Sequence, residues 1–336
     1  MMPRLARCWL LCSILVTCVV AAASAQSSSF FRFHGPPWNH PVASSQTIHV
    51  GGAAIEIDFA PGALDLDHSV VVQWIDTAAR AVSEYYGRFP VPRARVLVIP
   101  IAGQDGVLTG TTWGGVGGVP AFTRMRLGEH TSAQELADNW TMTHELVHTA
   151  LPSLADDHHW LEEGLATYVE PIARAQLGTL TPQRVWGEML RNMYKGQPQP
   201  GEGGLDATDT WASTYWGGAL FCLSADIQIR EQTGNRKGLE DAVRGILAAG
   251  GSIAVEWPIA RVLQTGDQAT GTSVLEQLYR TMGTASHAPV DLDGLWKRLG
   301  VRAVHGDIVF DDQAPLAEIR RSITAPRGID RRLEEK

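Results

Sequence analysis

Hydrophobic and polar positions in the first part of the chain follow two different periods. Residues 47–59 alternate around a pair of glycines, which predicts two strands joined by a tight turn. Apolar side chains then recur every three or four residues from Val71 to Tyr85, which predicts a helix. Residues 93–101 form an apolar run that is typical of a buried strand. The first part of the chain is therefore predicted to mix strands and helices.

The remaining pattern is mostly helical. Residues 109–127 are rich in glycine but compatible with strands, and residues 132–151 carry one apolar stripe of a predicted helix. After residue 156 nearly every segment has helical period, with breaks at glycine, proline or asparagine. We therefore predict an α+β fold, with a small mixed sheet and helices followed by a mainly helical lobe. The predicted divisions are 46–178 for the α/β lobe, 179–300 for the helical lobe and 301–336 for a C-terminal extension.

The N-terminal residues have the pattern of a signal peptide. A short basic region precedes an apolar stretch that is too short for a membrane span of about 20 residues. An A-x-A cleavage site ends at Ala25, so we expect residues 1–25 to be removed and residues 26–45 to form a flexible leader. The mature chain is then expected to be exported, periplasmic or extracellular, without stable membrane insertion. An uncleaved anchor and a lipid on Cys18 are the alternatives.

Composition narrows the classes of function. The chain has 336 residues, 44% of them hydrophobic, and a formal net charge of −8. This composition excludes wholesale disorder, and the absence of a basic cluster argues against a nucleic-acid partner. Removal of the signal peptide leaves Cys222 as the single cysteine, so no internal disulfide is expected. The oligomeric state stays open.

The most informative motif is an H-E-x-x-H string on the predicted helix over residues 132–151. His144 and His148 are four positions apart, and four residues advance a helix by about 400°. Both imidazoles can therefore face one Zn²⁺, with Glu145 beside them to accept a proton from water as general base. A solvated helix face that carries the motif by chance is the alternative.

A catalytic zinc takes three protein ligands and keeps one position open, so a third ligand is expected. The best candidate is Glu163, fifteen positions after the second motif histidine, on a second helix that can fold back. Glu170 follows seven residues later on the same face, where it can accept a hydrogen bond from a zinc-bound imidazole. We interpret His158 and His159 as exposed loop residues and Glu162 as a surface acid.

Residues 143–170 resemble the active-site segment of the gluzincin metallopeptidases, in which H-E-x-x-H is followed by W-L-x-E-G-x-A-x-Y. Residues 214–231 are similar to a helix of the aminopeptidase N-like and glycyl aminopeptidase-like branches. Tyr215 stands where those families have a tyrosine that donates its hydroxyl to the tetrahedral intermediate. The resemblance implies a thermolysin-like catalytic lobe, one zinc per chain and a peptide or protein substrate.

One departure from those families concerns the substrate's free amino terminus. True aminopeptidases carry a G-x-M-E-N-type segment whose glutamate binds that amine, and the corresponding residues 114–123 contain no acid. We therefore favour a peptidase that is not a strict aminopeptidase. The alternatives are an aminopeptidase of the same fold, with an acid such as Glu129 or Glu162 from elsewhere, or a non-catalytic module that holds zinc.

The glycine-rich segment is the candidate for the substrate strand. Gly115, Gly117 and Gly118 are predicted to lie on a strand that binds an extended peptide through main-chain hydrogen bonds. A plain glycine-rich loop is the equal alternative. Trp211 and Trp216, which flank the tyrosine noted above, are expected to belong to the core of the helical lobe rather than to a substrate platform.

Overall fold

The computed structural model describes residues 38–199, 201–208, 210–285 and 289–326. The predicted signal peptide and most of the predicted leader lie outside these residues. Ser44 and Ser45, the last residues of the predicted leader, already belong to the first strand. From Val42 onward the described residues form one compact unit. No helix among the described ranges is long and apolar enough to cross a membrane.

The main sheet has five strands and contains both parallel and antiparallel pairs. Its strands are β1 (Ser44–Val50), β2 (Ala53–Phe59), β3 (Arg93–Ile101), β4 (Val107–Gly114) and β5 (Ala121–Gly128). Their order across the sheet is β1-β2-β3-β5-β4, with β2–β3 and β3–β5 parallel and the outer pairs antiparallel. Strand β4 therefore lies at an edge, the position at which a sheet can pair with a further strand.

The first helix covers one face of this sheet. Helix α1 (His68–Tyr86) begins after Asp67, whose carboxylate accepts a hydrogen bond of 2.7 Å from the Ser69 amide. It ends at Gly87, which has a positive φ of 78° that glycine adopts without strain. The apolar face of α1 packs with the buried side chains of β2 and β3, such as Ile57 and Val96, in one core.

After β5, the regular elements of the described residues are helices and one short hairpin. The later helices are α2 (Ala133–Asp138), α3 (Thr141–Val147), α4 (His159–Leu177), α5 (Pro182–Asn192), α6 (Gly218–Thr233), α7 (Leu239–Ala248), α8 (Ile259–Thr270), α9 (Val274–Leu278), α10 (Leu292–Leu299) and α11 (Ala317–Thr324). Strands β6 (Val301–Val304) and β7 (Asp307–Phe310) form the hairpin. The predicted α+β class is confirmed.

The predicted single helix over residues 132–151 is wrong. Asn139 is extended, with ψ of 136°, and it separates α2 from α3. Its side-chain oxygen accepts a hydrogen bond of 2.8 Å from the Thr141 amide, so the side chain starts a new helix where the old one ends. The motif helix α3 is consequently short, and the chain continues from it as a 3₁₀ turn over His148–Ala150.

Two glycines allow close approach between α4 and α6. A Cβ atom on Gly164 would lie 2.2 Å from the carbonyl carbon of Gly218, and one on Gly218 would lie 2.0 Å from the carbonyl oxygen of Trp160. Only glycine fits at both positions, because any side chain would push the two helices apart. This contact brings the start of α6, just after Tyr215, against the helix that carries Glu163.

Candidate metal centre and catalytic cleft

Helices α3 and α4 bring three potential metal ligands together. Nε2 of His144 lies 3.1 Å from Oε2 of Glu163, and Nε2 of His148 lies 3.7 Å from the same oxygen. One ligand atom from each residue lies within 4.8 Å of the others, and within the described residues this is the one such group of histidine, cysteine or acidic side chains. His144 and Glu163 are buried, and His148 is half-buried.

The protonation states of His148 and Glu163 fit a metal cation. Burial lowers the pKa of His148 to about 3, and the neighbouring His144 adds to that effect. Burial alone would raise the pKa of Glu163, but hydrogen bonds from His144 and His159 hold it well below its usual range. A neutral imidazole and an ionised carboxylate are the forms that bind a metal. Two imidazole nitrogens and one carboxylate oxygen are a donor set that zinc accepts.

Glu145 points toward the edge strand. Its Oε2 accepts a hydrogen bond of 2.8 Å from the hydroxyl of Thr112 on β4. A Cβ atom on Gly110 would lie 2.6 Å from Cγ of Glu145, so the absence of a side chain at Gly110 makes room for the carboxylate. Burial raises the pKa of Glu145, while the His144 ring and the Thr112 hydroxyl oppose that rise. A carboxylate with a raised pKa is a stronger base for water.

Tyr215 reaches the same group from a π-helical turn, Ser213–Gly217, that leads into α6. Its ring stacks on the ring of His144 with centroids 6.0 Å apart. Burial raises the pKa of the Tyr215 hydroxyl above its usual value, and the charge of Glu163 and a hydrogen bond to it contribute further. The hydroxyl therefore keeps its proton at neutral pH and is available as a donor.

A cleft of about 580 Å³ lies over these residues. One wall is residues 110–114 of the edge strand β4, and the other carries Glu145, His148, Glu163 and Tyr215. A volume of this size suits an extended segment of peptide, and an edge strand offers it main-chain hydrogen bonds. The cleft thus combines the candidate ligands with a surface for a polypeptide backbone.

The glycines predicted to form the substrate strand are not in a strand. Gly115, Gly117 and Gly118 lie in the turn between β4 and β5, with φ values of 64°, 61° and 79°. These left-handed conformations suit glycine and are incompatible with an extended strand. The wall of the cleft is instead the preceding part of β4, residues 110–114.

Glu170 does not make the predicted hydrogen bond to a ligand histidine. Its Oε1 accepts a hydrogen bond of 2.9 Å from Nη1 of Arg174, one turn later on α4. Nδ1 of His144 is buried and has no hydrogen-bond partner among the described residues. The reason is the i, i+4 spacing of Glu170 and Arg174, which places the guanidinium closer than the imidazole. Burial raises the pKa of Glu170 to about 7 even beside Arg174.

His159 and Glu162 were expected on the surface, yet both line the cleft. Nδ1 of His159 lies 3.0 Å from Oε2 of Glu162, and Nε2 lies 3.3 Å from Oε1 of Glu163. These hydrogen bonds raise the pKa of His159 to about 10, although the side chain is 55% exposed. The signal in the sequence is the i, i+3 and i, i+4 spacing on one helix. His158 instead contacts Asp206, with Nδ1 3.0 Å from its carboxylate.

A second cavity, of about 480 Å³, reaches the other side of His144 and Tyr215. Trp140 and Trp211 line it, and they are 49% and 60% exposed. Trp211 stacks on Tyr215 with ring centroids 5.3 Å apart. The expectation that Trp211 belongs to the core is therefore wrong, because its ring lies at the rim of this cavity. Trp216 is partly buried and packs against the core.

Two solved structures of other proteins are similar to this chain. An aminopeptidase N family protein from Idiomarina loihiensis is similar in structure, with a TM-score of 0.56 and 14% sequence identity over 77% of this chain. An M1 zinc metallopeptidase from Deinococcus radiodurans matches 71% of the chain at 17% identity, with a TM-score of 0.44. No protein-family model and no curated protein sequence matches the chain.

The chain has the fold of the aminopeptidase N family structure. The match covers 49% of the Idiomarina protein and 50% of the Deinococcus protein, so this chain spans about half the length of each. The resemblance that the motifs indicated is thereby confirmed at the level of fold.

Proposed function

We propose that this chain is an exported zinc-dependent peptidase of the gluzincin type that hydrolyses peptide bonds. The observation that carries the proposal is the convergence of His144, His148 and Glu163 beside an edge strand. Glu145 on α3 and Tyr215 on the π-helical turn line the same cleft, and neither is itself one of the three ligand candidates. The shared fold with an aminopeptidase N family protein supports the same conclusion.

The protein groups divide the chemistry between them. Zinc, held by His144, His148 and Glu163, supplies Lewis-acid activation of water and of the scissile carbonyl when it is bound. Glu145 accepts a proton from the attacking water and later delivers it to the leaving amine. The Thr112 hydroxyl holds the Glu145 carboxylate toward the cleft during these transfers.

Two further elements act on the substrate. Tyr215 donates its hydroxyl to the oxygen that becomes negative when water adds to the carbonyl carbon. Residues 110–114 of β4 bind the substrate backbone as an added strand, which holds the scissile bond in an extended form. Backbone binding of this kind is independent of the substrate side chains, so it admits many peptide sequences.

Metal analysis tests the core of the proposal. The purified protein is expected to hold one zinc per chain, and His148→Ala is expected to lose it. The control is His158→Ala, because His158 contacts Asp206 and not the ligand group. Zinc retained at one per chain in His148→Ala would contradict the assigned ligand set.

Aminopeptidase action is the second candidate function. The observation in its favour is that the cleft contains an acid, Glu162. This acid lines the same cleft as β4, although residues 114–123 contain none. However, Glu162 already forms hydrogen bonds with His159 and with the Leu154 amide. We therefore propose that the chain is not a strict aminopeptidase. A peptide and its N-acetylated twin are expected to be cleaved at similar rates. Loss of cleavage on acetylation would establish the aminopeptidase alternative.

Export is tested separately. The signal-peptide pattern supports removal of residues 1–25, so the mature protein is expected to begin at or near Gln26. N-terminal sequencing of the exported protein checks this expectation. An intact Met1, or a lipid on Cys18, would contradict it.

A further inference from the structure

His159 lies next to the candidate ligands without belonging to their group. It is the first residue of α4, and its ring contacts the carboxylates of Glu162 and Glu163, three and four positions later. We propose that His159 is a positioning residue that holds one oxygen of Glu163, so that only the other oxygen faces the metal. This inference rests on the proposed function, because it assumes zinc at the group formed with His144 and His148.

The two oxygens of Glu163 have different neighbours. Oε2 lies 3.1 Å from Nε2 of His144 and 3.7 Å from Nε2 of His148, which places it on the ligand side. Oε1 lies 3.3 Å from Nε2 of His159. When the second oxygen of a carboxylate accepts a hydrogen bond from a fixed donor, the carboxylate is held in one orientation about its terminal C–C bond. The geometry therefore favours coordination through one oxygen.

The ring of His159 is itself held in place from the other side. Its Nδ1 lies 3.0 Å from Oε2 of Glu162, and Oε1 of Glu162 accepts a hydrogen bond of 3.2 Å from the Leu154 amide. Carboxylate oxygens only accept hydrogen bonds, so both ring nitrogens of His159 act as donors. The main-chain amide of Leu154 thus fixes Glu162. Glu162 orients His159, and His159 in turn orients Glu163.

We expect loss of the His159 side chain to affect metal affinity more than the stability of the fold. His159 is 55% exposed and lies at the end of a helix, so its removal leaves no buried cavity. Groups that hold a metal ligand through a hydrogen bond change metal affinity by about 10–100-fold when they are removed. Because this side chain is half exposed, we expect an effect near the lower end of that range.

The experiment measures zinc affinity directly, by competition with a fluorescent chelator of known affinity. His159→Leu removes both hydrogen bonds and is expected to bind zinc about tenfold more weakly than the wild type. His158→Leu is the matched control, because the neighbouring histidine also pairs with a carboxylate but at Asp206, away from Glu163. The control is expected to keep wild-type affinity, and thermal unfolding checks that both variants are folded.

Two more variants test the direction of the effect. His159→Gln keeps one donor for Glu163 and is expected to recover part of the lost affinity. Glu162→Gln leaves His159 in place but weakens its anchor, so its loss should be smaller than that of His159→Leu. Wild-type zinc affinity in folded His159→Leu would overturn the inference while leaving the metal site intact. Zinc binding that survives His148→Ala would instead overturn the proposed metal site itself.

Discussion

Two clusters of buried charged side chains lie on the helices, and they are neutralised in different ways. In the first cluster Glu163 faces His144 and His148, and the ion-pair partners found for it among the described residues are all histidines. In the second cluster Arg230 joins two acids on α6 and α7. The first cluster offers electron pairs to a cation, whereas the second contains its own cation.

The second cluster satisfies its members through short contacts. Nε of Arg230 donates to Asp226 at 2.7 Å, and Nη2 donates to both oxygens of Glu240 at 2.8 Å. The Tyr168 hydroxyl and the Leu239 amide donate to Asp226 at 2.8 and 3.0 Å. A buried ion pair with this many hydrogen bonds joins helices, and the two acids are neutralised by Arg230 itself. Burial of charge alone therefore does not mark a catalytic site.

Replacing the proposed base is expected to have the largest effect on activity. Glu145→Gln keeps the side-chain volume and leaves the three ligand candidates unchanged. We expect kcat/KM to fall by about 10²–10⁴-fold, since a general base contributes about that much. Zinc content and thermal stability are expected to stay near the wild-type values. Turnover close to that of the wild type would show that Glu145 is not the base.

The largest effect on stability is expected at the second cluster. Arg230→Met leaves Asp226 and Glu240 buried without their cation, which should cost about 3–5 kcal/mol in the free energy of unfolding. The control is Arg298→Met, which removes an exposed pair with Glu231 and should cost less than about 1 kcal/mol. Denaturant unfolding measures both. A small loss of unfolding free energy in Arg230→Met would show that the second cluster does not depend on its own cation.

Tyr215→Phe separates binding of the transition state from binding of the substrate. Removal of one donor to an oxyanion costs about 10²–10³-fold in kcat. We expect kcat and kcat/KM to fall together with little change in KM, because the hydroxyl acts only after the oxyanion forms. A rise in KM at constant kcat would instead assign Tyr215 to substrate binding.

The smallest effect is expected from Thr112, which contacts Glu145 from the edge strand. Thr112→Val keeps the shape of the side chain and removes the hydroxyl, and a hydrogen bond to a charged group is worth about 1.5–3 kcal/mol. We expect kcat to fall by about tenfold or somewhat more. Thr112→Ser retains the hydroxyl and should restore most of the activity. Equal losses in the two variants would show that packing, not the hydrogen bond, matters at this position.

Local periodicity predicted much of the fold. The hairpin β1–β2, helix α1 and strand β3 agree with the pattern of apolar positions, because each depends on neighbours two to four residues away. The break at Asn139 was missed, since a side chain that bonds to its own backbone leaves no mark in an apolar pattern. For the glycines after β4, a strand and a plain loop were equal alternatives, because composition does not report the sign of φ, and the structure has a turn there.

The candidate site likewise combines features that depend on local sequence with features that depend on the packing of distant elements. Residue spacing was enough to predict that two histidines face one point and that an acid follows on the next helix, because four-residue spacing and helix breaks are local properties. Folding of the whole chain was needed to show that Gly110 leaves room for Glu145, that Thr112 bonds to it from 33 positions away, and that the Tyr215 ring stacks on the His144 ring. These contacts join separate elements, and packing of the whole chain sets their distances.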